Sequence, residues 1–228
     1  MSDIGPTIAV RSARLGRGAT VSGTLLLVLV AGFGAVVKLN GGAPFPVDAW
    51  WHGISGVEPG TIAYAVAVAL HGIGSAVGVA VCLLIVAAAL LARHRWRDAA
   101  VIATTGLFGV VCSEGLKALV ARPRPAGGLV QELSFSYPSG HSMGAAALAT
   151  ALMLLVLRSD GASRRATRWA VVGATAWTVL MMWSRTALGV HWLTDVIAGA
   201  LLGVSVAILA RAVWQGRSAA APLQESTR

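Results

Sequence analysis

Charged residues are scarce in this chain of 228 residues: they make up 12% of it, and only nine of them are acidic. A typical water-soluble domain carries about 25% charged residues. With 56% hydrophobic residues and a mean hydropathy of +0.74, the composition excludes an ordinary water-soluble domain. The few carboxylates form no cluster in the sequence, so we expect no catalytic metal site.

Cysteine is also rare, and the common cofactor motifs are absent. Cys82 and Cys112 both lie inside apolar segments, where cysteine usually packs as a small hydrophobic residue. No HExxH, CxxC or Walker pattern occurs, and there is no fixed repeat or Ser/Gly/Pro-rich linker. The sequence therefore predicts one domain without a disulfide, a metal or another cofactor.

Long apolar segments are what the chain does contain. We predict an all-α fold, an integral membrane bundle of six transmembrane helices over residues 20–214, with cytoplasmic segments at 1–19 and 215–228. The segment APFPVDAWWHGI (residues 43–54) is predicted to be an outer loop or a short interfacial helix. The six predicted spans are residues 20–38, 70–92, 99–119, 142–158, 169–188 and 194–214.

The net charge of +9 follows the predicted topology. Thirteen of the 18 basic residues fall in segments on one side of the six spans, and cytoplasmic loops carry the excess of Lys and Arg. We therefore predict that both termini are cytoplasmic, and we expect no nucleic-acid partner. The thirteen residues are Arg11, Arg14, Arg17, Arg93, Arg95, Arg97, Arg158, Arg164, Arg165, Arg168, Arg211, Arg217 and Arg228.

Three polar segments lie on the opposite, outer side. KALVARPRP (117–125) ends the third span, PSGH (138–141) begins the fourth, and SRTALGVHWLTD (184–195) joins the fifth to the sixth. Ser139 is a typical N-cap, and a helix N-terminus with free amides binds anions. Cations together with such amides suit a phosphoryl group. The candidate phosphate-binding residues are Lys117, Arg124, Ser139, Gly140 and Arg185.

Two histidines in these segments suit a nucleophile and a general acid, because imidazole titrates near neutral pH. His191 and Asp195 are four residues apart, so we expect them on one helix face, with Asp195 accepting the second ring proton of His191. Each residue has a structural alternative: the cations can extend from helix ends, His141 can be an ordinary paired polar residue, and His191 and Asp195 can be a structural pair. Their gathering on one face favours a site.

The three segments resemble the ordered motifs of the type 2 phosphatidic acid phosphatases, a family that shares a core with vanadium-dependent haloperoxidases. The motifs are Lys, six residues, Arg-Pro; then Pro-Ser-Gly-His; then Ser-Arg, five residues, His, three residues, Asp. No fixed position departs from them. The matching residues are Lys117, Arg124, Pro125, Pro138, Ser139, Gly140, His141, Ser184, Arg185, His191 and Asp195.

This resemblance implies a phosphatase that works in two steps. His191 would attack phosphorus and form a phosphohistidine, His141 would protonate the leaving group, and water would then release phosphate. Asp195 would orient His191. The phosphoryl oxygens would be bound by Lys117, Arg124, Ser139, Gly140 and Arg185.

Topology and resemblance together imply a lipid phosphate substrate that enters an outer-face site from the bilayer of a bacterial cytoplasmic (inner) membrane. Undecaprenyl diphosphate, phosphatidylglycerol phosphate and phosphatidic acid all fit as substrates. Membrane lipids are the other expected partners. The sequence leaves the oligomeric state open. A lipid phosphotransferase and a non-catalytic lipid-phosphate binding or transport protein are the alternatives. The His191–Asp195 pair disfavours the second, because binding alone needs no oriented nucleophile.

Three polar residues lie near the motifs but outside them. We interpret Arg122 as secondary charge or an interfacial anchor, and Glu114 as a partner that holds Lys117. His71 is interpreted as an interfacial residue, in preference to one that lines the entrance to the site.

Overall fold

The computed structural model describes residues 16–157 and 162–216, which form eight helices and contain no strand. This confirms the predicted all-α class. The helices are α1 (Arg17–Leu39), α2 (Pro46–Ser55), α3 (Ile62–Gly74), α4 (Ala76–Ala92), α5 (Trp96–Val120), α6 (Gly140–Leu157), α7 (Arg164–Ala187) and α8 (Leu193–Gly216).

Four of these helices, α1, α5, α6 and α8, are long and apolar enough to cross a membrane. The bent pair α3 and α4 would be a fifth span if the two helices cross together. The predicted span 169–188 falls on α7, which does not reach the same hydropathy because its sequence carries four arginines and three tryptophans. An integral membrane bundle is supported, while the count of six spans stays a prediction.

The predicted span 70–92 is not one continuous helix, because the chain bends by 61° between α3 and α4. Ser75 has an extended backbone there (φ −61°, ψ 161°), and its side chain accepts a hydrogen bond from the Gly78 amide at 3.1 Å. Serine competes with the helical backbone for hydrogen bonds in this way. One apolar run is therefore divided into two helices.

The segment 43–54, predicted as an outer loop or a short helix, forms α2. Its carboxylate Asp48 accepts a hydrogen bond from the Phe45 amide at 3.1 Å, which satisfies one of the free amides at the helix start. Two ranges that carry predictions, 1–15 and 217–228, lie outside the described residues, as does Arg158. The basic residues that they contribute to the topology argument are Arg11, Arg14, Arg217 and Arg228.

Helices α6 and α8 form the centre of the bundle and pack backbone to backbone. A Cβ added at Gly199 would lie 2.3 Å from the Ser139 carbonyl oxygen, and one added at Gly203 would lie 2.3 Å from that of Met143. Such close approach requires glycine, and the two glycines are spaced as in the GxxxG pattern of packed membrane helices. It also brings the start of α6 against the start of α8, where the Ser139 amide donates to the Asp195 carbonyl at 3.0 Å.

The segment between α5 and α6, residues 121–139, is irregular but firmly anchored. The fully buried Tyr137 donates its hydroxyl to the Val30 carbonyl in α1 at 2.6 Å. The Ser136 amide donates to the Arg122 carbonyl at 2.9 Å. This segment therefore holds its polar side chains over the ends of α6 and α8.

Candidate active site

The three polar segments meet at one end of the bundle around a cavity of about 800 Å³. Two of the eight predicted site residues lie just behind its wall, namely Ser139 and Asp195, and Arg185 reaches it through other side chains. The predicted residues that line it are Lys117, Arg124, Gly140, His141 and His191.

His191 lies in the turn between α7 and α8, and its contacts define its tautomer. The Arg124 Nη1 lies 2.9 Å from the His191 Nε2. Because a guanidinium can only donate, Nε2 must accept, and the neutral ring then carries its proton on Nδ1. Arg124 itself is held by the carbonyls of Val190 at 2.8 Å and Ser134 at 2.7 Å. The nucleophilic lone pair of His191 is therefore directed at a cation in the cavity.

The predicted direct contact between His191 and Asp195 is wrong in detail. His191 precedes α8 instead of sharing a helix with Asp195, and its Nδ1 lies 3.8 Å from the Asp195 Oδ2, beyond hydrogen-bond range. The Ser136 hydroxyl lies 3.4 Å from Nδ1 and donates to Oδ2, and the Trp192 amide donates to the same oxygen at 2.9 Å. Asp195 therefore orients His191 chiefly through Ser136.

Arg122, interpreted from the sequence as secondary charge or an anchor, is instead a fully buried partner of Asp195. Its Nη1 donates to the Asp195 Oδ1 at 2.6 Å and to the Thr194 Oγ1 at 2.8 Å, and its Nη2 donates to the Asp48 Oδ2 at 2.7 Å. All three charged side chains are 0% exposed. One guanidinium faces two carboxylates, so the group carries one net negative charge beside His191.

Asp48 is a residue that sequence reasoning missed. Besides Arg122, it binds the Thr194 amide at 2.9 Å and the Thr194 hydroxyl at 3.0 Å. It thus ties α2 to the start of α8. The available signal was that Asp48 is the single acidic residue in the apolar segment 43–54.

His71 is part of the site, which corrects its interpretation as a merely interfacial residue. Its ring stacks on that of His141 with centroids 5.2 Å apart, and its carbonyl lies 3.1 Å from the His141 Nε2. Since a carbonyl can only accept, His141 carries a proton on Nε2 and leaves Nδ1 toward Glu132, 3.9 Å away. Nδ1 is the ring atom that can exchange a proton in the cavity.

Glu132 is the second residue that the sequence analysis missed, and it lies among the predicted phosphate-binding cations. It pairs with the buried Arg185 through Nη2, and its other oxygen lies 3.6 Å from the Arg124 Nη2. It is the only acidic residue in the segment 121–139, which was the available signal. The carboxylate occupies the position next to Arg185 that a phosphoryl oxygen would need.

Three groups could in principle hold a metal ion: the ligand atoms of His71, Glu132 and His141 lie within 4.8 Å of one another. The Arg185 guanidinium, however, donates to Glu132 and lies 3.0 Å from the His71 Nδ1. The lone pairs that a cation requires therefore already face a positive charge, which disfavours a metal here.

Lys117 and the start of α6 complete the site. The Lys117 Nζ pairs with Glu114 at 2.7 Å, as interpreted from the sequence. The same Nζ lies next to the start of α6, since a Cβ added at Gly140 would be 3.4 Å from it. Ser139 caps α6 by accepting from the Ser142 amide at 3.4 Å. The Ser139 amide, however, donates to the Asp195 backbone carbonyl and is therefore not free to bind phosphate.

The protonation state of His191 follows from its surroundings. Burial, reinforced by the nearby guanidinium of Arg124, lowers the pKa of His191 to about 4, although Asp195 acts in the opposite direction. The imidazole is therefore neutral at physiological pH, which is the form that can attack phosphorus.

The cavity continues from the polar end along α4, α5 and α6. Its apolar wall includes Leu84, Leu107 and Val110, whose side chains are more than half exposed although they line the cavity. The cavity therefore opens sideways at the depth of the apolar helices, and it joins a cluster of cations to a hydrophobic passage.

This combination of motifs, helices and cavity has counterparts among known proteins. The family model of the PAP2 superfamily matches residues 98–219, more than half of the chain. The chain belongs to the PAP2 superfamily. That membership confirms the family resemblance seen in the sequence motifs.

Two curated relatives have named activities. Phosphatidylglycerophosphatase B of Bacillus subtilis is 36% identical over 97 residues, which are 42% of this chain and 48% of that protein. Undecaprenyl-diphosphatase of Sulfolobus acidocaldarius is 37% identical over 75 residues, 33% of this chain and 32% of that protein. The chain thus matches about half or less of the length of these relatives.

Solved structures extend the similarity to the fold. The PAP2-type phosphatidylglycerolphosphate phosphatase of Bacillus subtilis has a TM-score of 0.65 at 25% identity, over 91% of this chain and 99% of that one. Aquifex aeolicus LpxE has a TM-score of 0.58 at 22% identity, over 73% and 95%. A solved PAP2-type phosphatase therefore shares this helical arrangement.

Proposed function

We propose that this protein is an integral-membrane phosphatase that hydrolyses a lipid phosphate or diphosphate through a phosphohistidine on His191. One observation carries the proposal: the Nε2 lone pair of His191 faces Arg124, in a cavity whose other end is apolar. A phosphoryl group fits the polar end and a lipid tail the apolar end. The names of the two curated relatives support the same class of substrate.

In the first step, the Arg124 Nη1 moves from the His191 Nε2 to a phosphoryl oxygen, and Nε2 then forms a bond to phosphorus while the bond from phosphorus to the leaving oxygen breaks. The imidazole becomes positively charged, and the net negative group of Arg122, Asp48 and Asp195 stabilises it through Ser136. Lys117, Arg124 and Arg185 bear the charge of the phosphoryl oxygens.

His141, which lines the same cavity, acts in its imidazolium form, with a proton on each ring nitrogen, and gives the Nδ1 proton to the leaving oxygen. In the second step, water attacks phosphorus, His141 accepts a proton from that water, and the bond to Nε2 breaks. Phosphate and neutral His191 result. For Arg185 to hold a phosphoryl oxygen, Glu132 must first yield its place beside that guanidinium.

We propose that the site lies on the outer face of a bacterial inner membrane and works without a metal. The distribution of basic residues in the sequence supports that face. The Arg185 contacts to His71 and Glu132 support a metal-free site, since these are two of the three donors that lie close together there.

The proposal is tested by measuring phosphate release by the purified full-length protein in detergent. The substrates are phosphatidylglycerol phosphate, phosphatidic acid and undecaprenyl diphosphate, each with and without excess chelator. Wild type is expected to release phosphate from at least one of them in both conditions. His191→Asn is expected to reduce the rate at least about a thousandfold, because it removes the nucleophile.

His94→Asn is the matched control. His94 is an exposed residue with φ 56° between α4 and α5, and asparagine tolerates that backbone conformation. This variant is expected to retain wild-type turnover. Wild-type turnover by His191→Asn would rule out the nucleophile, and activity that is lost on chelation and restored by magnesium would rule out the metal-free mechanism.

A further inference from the structure

Ser113 on α5 is a buried polar residue to which the proposed mechanism gives no role. Its side chain is 1% exposed, it lines the cavity, and its Oγ has no hydrogen-bond partner among the residues that the structure describes. Most buried hydroxyls are paired, because an unpaired one loses its bonds to water without replacement. The hydroxyl is therefore available to a group that enters the cavity.

The position of Ser113 defines which part of a substrate it can reach. A Cβ added at Gly140 would lie 3.4 Å from the Lys117 Nζ and 3.9 Å from the Ser113 Oγ, so both polar atoms lie on the same side of that glycine. Ser113 is one helical turn further from the end of α5 than Lys117, about 6 Å along the axis. Beyond it, Val110 and Leu107 make the α5 wall apolar.

Ser113 thus lies at the boundary between the cations and the apolar passage. We propose that Ser113 is a substrate-binding residue, whose hydroxyl donates a hydrogen bond to the first oxygen atoms on the tail side of the scissile bond. In a glycerolipid these are ester oxygens, and in a polyprenyl diphosphate they are the oxygens of the phosphate nearer the tail. This inference rests on the proposed function, since it assumes that the cations hold the reacting phosphoryl group.

Thr105 offers an internal comparison on the same helix. It is fully buried, and its Oγ1 also lacks a hydrogen-bond partner in the described part of the chain, but it does not line the cavity. Ser113→Ala and Thr105→Val each remove one unpaired hydroxyl from α5 and change little else. Neither change is expected to lower the melting temperature, because neither breaks a bond.

The experiment compares kcat/KM of wild type and both variants on three substrates: phosphatidic acid, undecaprenyl diphosphate and p-nitrophenyl phosphate. The last has a phosphoryl group for the cations but no ester or phosphate oxygen beyond the scissile bond. Ser113→Ala is expected to reduce kcat/KM about three- to tenfold for the lipid substrate, the effect of one neutral hydrogen bond, and to leave p-nitrophenyl phosphate unchanged. Thr105→Val is expected to change none of the three.

A fall with only one of the two lipids identifies which oxygens Ser113 binds. Unchanged lipid turnover by Ser113→Ala would overturn the inference and leave the phosphatase proposal intact. An equal loss on p-nitrophenyl phosphate would also overturn it, because Ser113 would then act on the phosphoryl group or on the helix. If wild type released phosphate from none of the substrates, the proposed function and this inference would both fall.

Discussion

A neutral imidazole is the form of His191 that can attack phosphorus, and its surroundings maintain that form. Burial lowers its pKa to about 4, and Arg124 points a positive charge at Nε2. A histidine whose pKa is lowered gains its proton only at a more acidic pH than a free one. Protonation of His191 should therefore not lower the rate near pH 6.5, the ordinary pKa of histidine.

We predict that kcat/KM will show no acid limb from the enzyme between pH 8 and pH 5, and will fall as the pH approaches about 4. The measurement is a pH profile of kcat/KM, corrected for the second ionisation of the substrate phosphate near pH 6. A limb that stays near pH 6.5 after this correction would show that the nucleophile is an unperturbed histidine or another group.

Among single residues, the sequence predicted those that belong to the three motifs, because their spacing along the chain is visible in the sequence. Of the eight predicted residues, five line the cavity. Arg185 pairs with Glu132, which lines it, and Asp195 lies 3.8 Å from His191, which lines it as well. The sequence did not predict Asp48, Glu132 or Ser136. Asp48 reaches the site through the packing of α2 against the start of α8, and Glu132 and Ser136 reach it through the path of the irregular segment 121–139. That path depends on long-range contacts such as the one from Tyr137 to Val30, which no local pattern encodes.

Among the elements, the packing of α6 on α8 determines where the two histidines stand. Gly203→Ala would place a Cβ 2.3 Å from the Met143 carbonyl oxygen and 2.7 Å from the Ala147 amide nitrogen. Backbone atoms cannot move aside as a side chain can, so the helices must separate. We predict that the free energy of unfolding falls by about 1–3 kcal/mol and the melting temperature in detergent by about 3–10 °C. Phosphate release should fall as well.

Gly173→Ala on α7 is the control for that measurement. Apart from its own helix and chain neighbours, no described heavy atom lies within 4 Å of a Cβ added there. This substitution is expected to preserve or slightly raise the melting temperature, because alanine favours helix over glycine. Equal melting temperatures for the two variants would contradict the close packing of α6 and α8.

The sequence predicted elements well where hydropathy alone decides them, as in α1, α5, α6 and α8. It failed at Ser75, where a single capping side chain divides an apolar run that reads as one span. It also predicted a span over residues 169–188, where α7 is less apolar than the other long helices because arginines at both ends and tryptophans along its length lower its mean hydropathy. A local capping hydrogen bond and a few polar or aromatic side chains therefore limit the prediction of spans from hydropathy.

For the whole molecule, the orientation in the membrane decides which leaflet can supply substrate. We predict that the cavity end faces outward and that the start of α7 faces the cytoplasm, because thirteen of the 18 basic residues lie in the segments assigned inside. The test uses a membrane-impermeant thiol reagent on intact cells, with Cys82 and Cys112 first replaced by alanine. Leu133→Cys, fully exposed beside the cavity end, should be labelled from outside.

Ala166→Cys is the matched position on the other side, exposed in the first turn of α7. It should be labelled only after the cells are lysed. The reverse pattern, with Ala166→Cys labelled in intact cells and Leu133→Cys protected, would place the site on the cytoplasmic face. It would also remove the support for a substrate in the outer leaflet.

The sideways opening past Leu84, Leu107 and Val110 also changes what substrate concentration means for this protein. A lipid that arrives through that opening is supplied by lateral diffusion in two dimensions, so the quantity that saturates the enzyme is its mole fraction in the bilayer. Adding inert lipid at constant bulk substrate should therefore slow turnover by surface dilution. For the proposed phosphatase, the surrounding membrane is, in kinetic terms, the solvent in which it would meet its substrate.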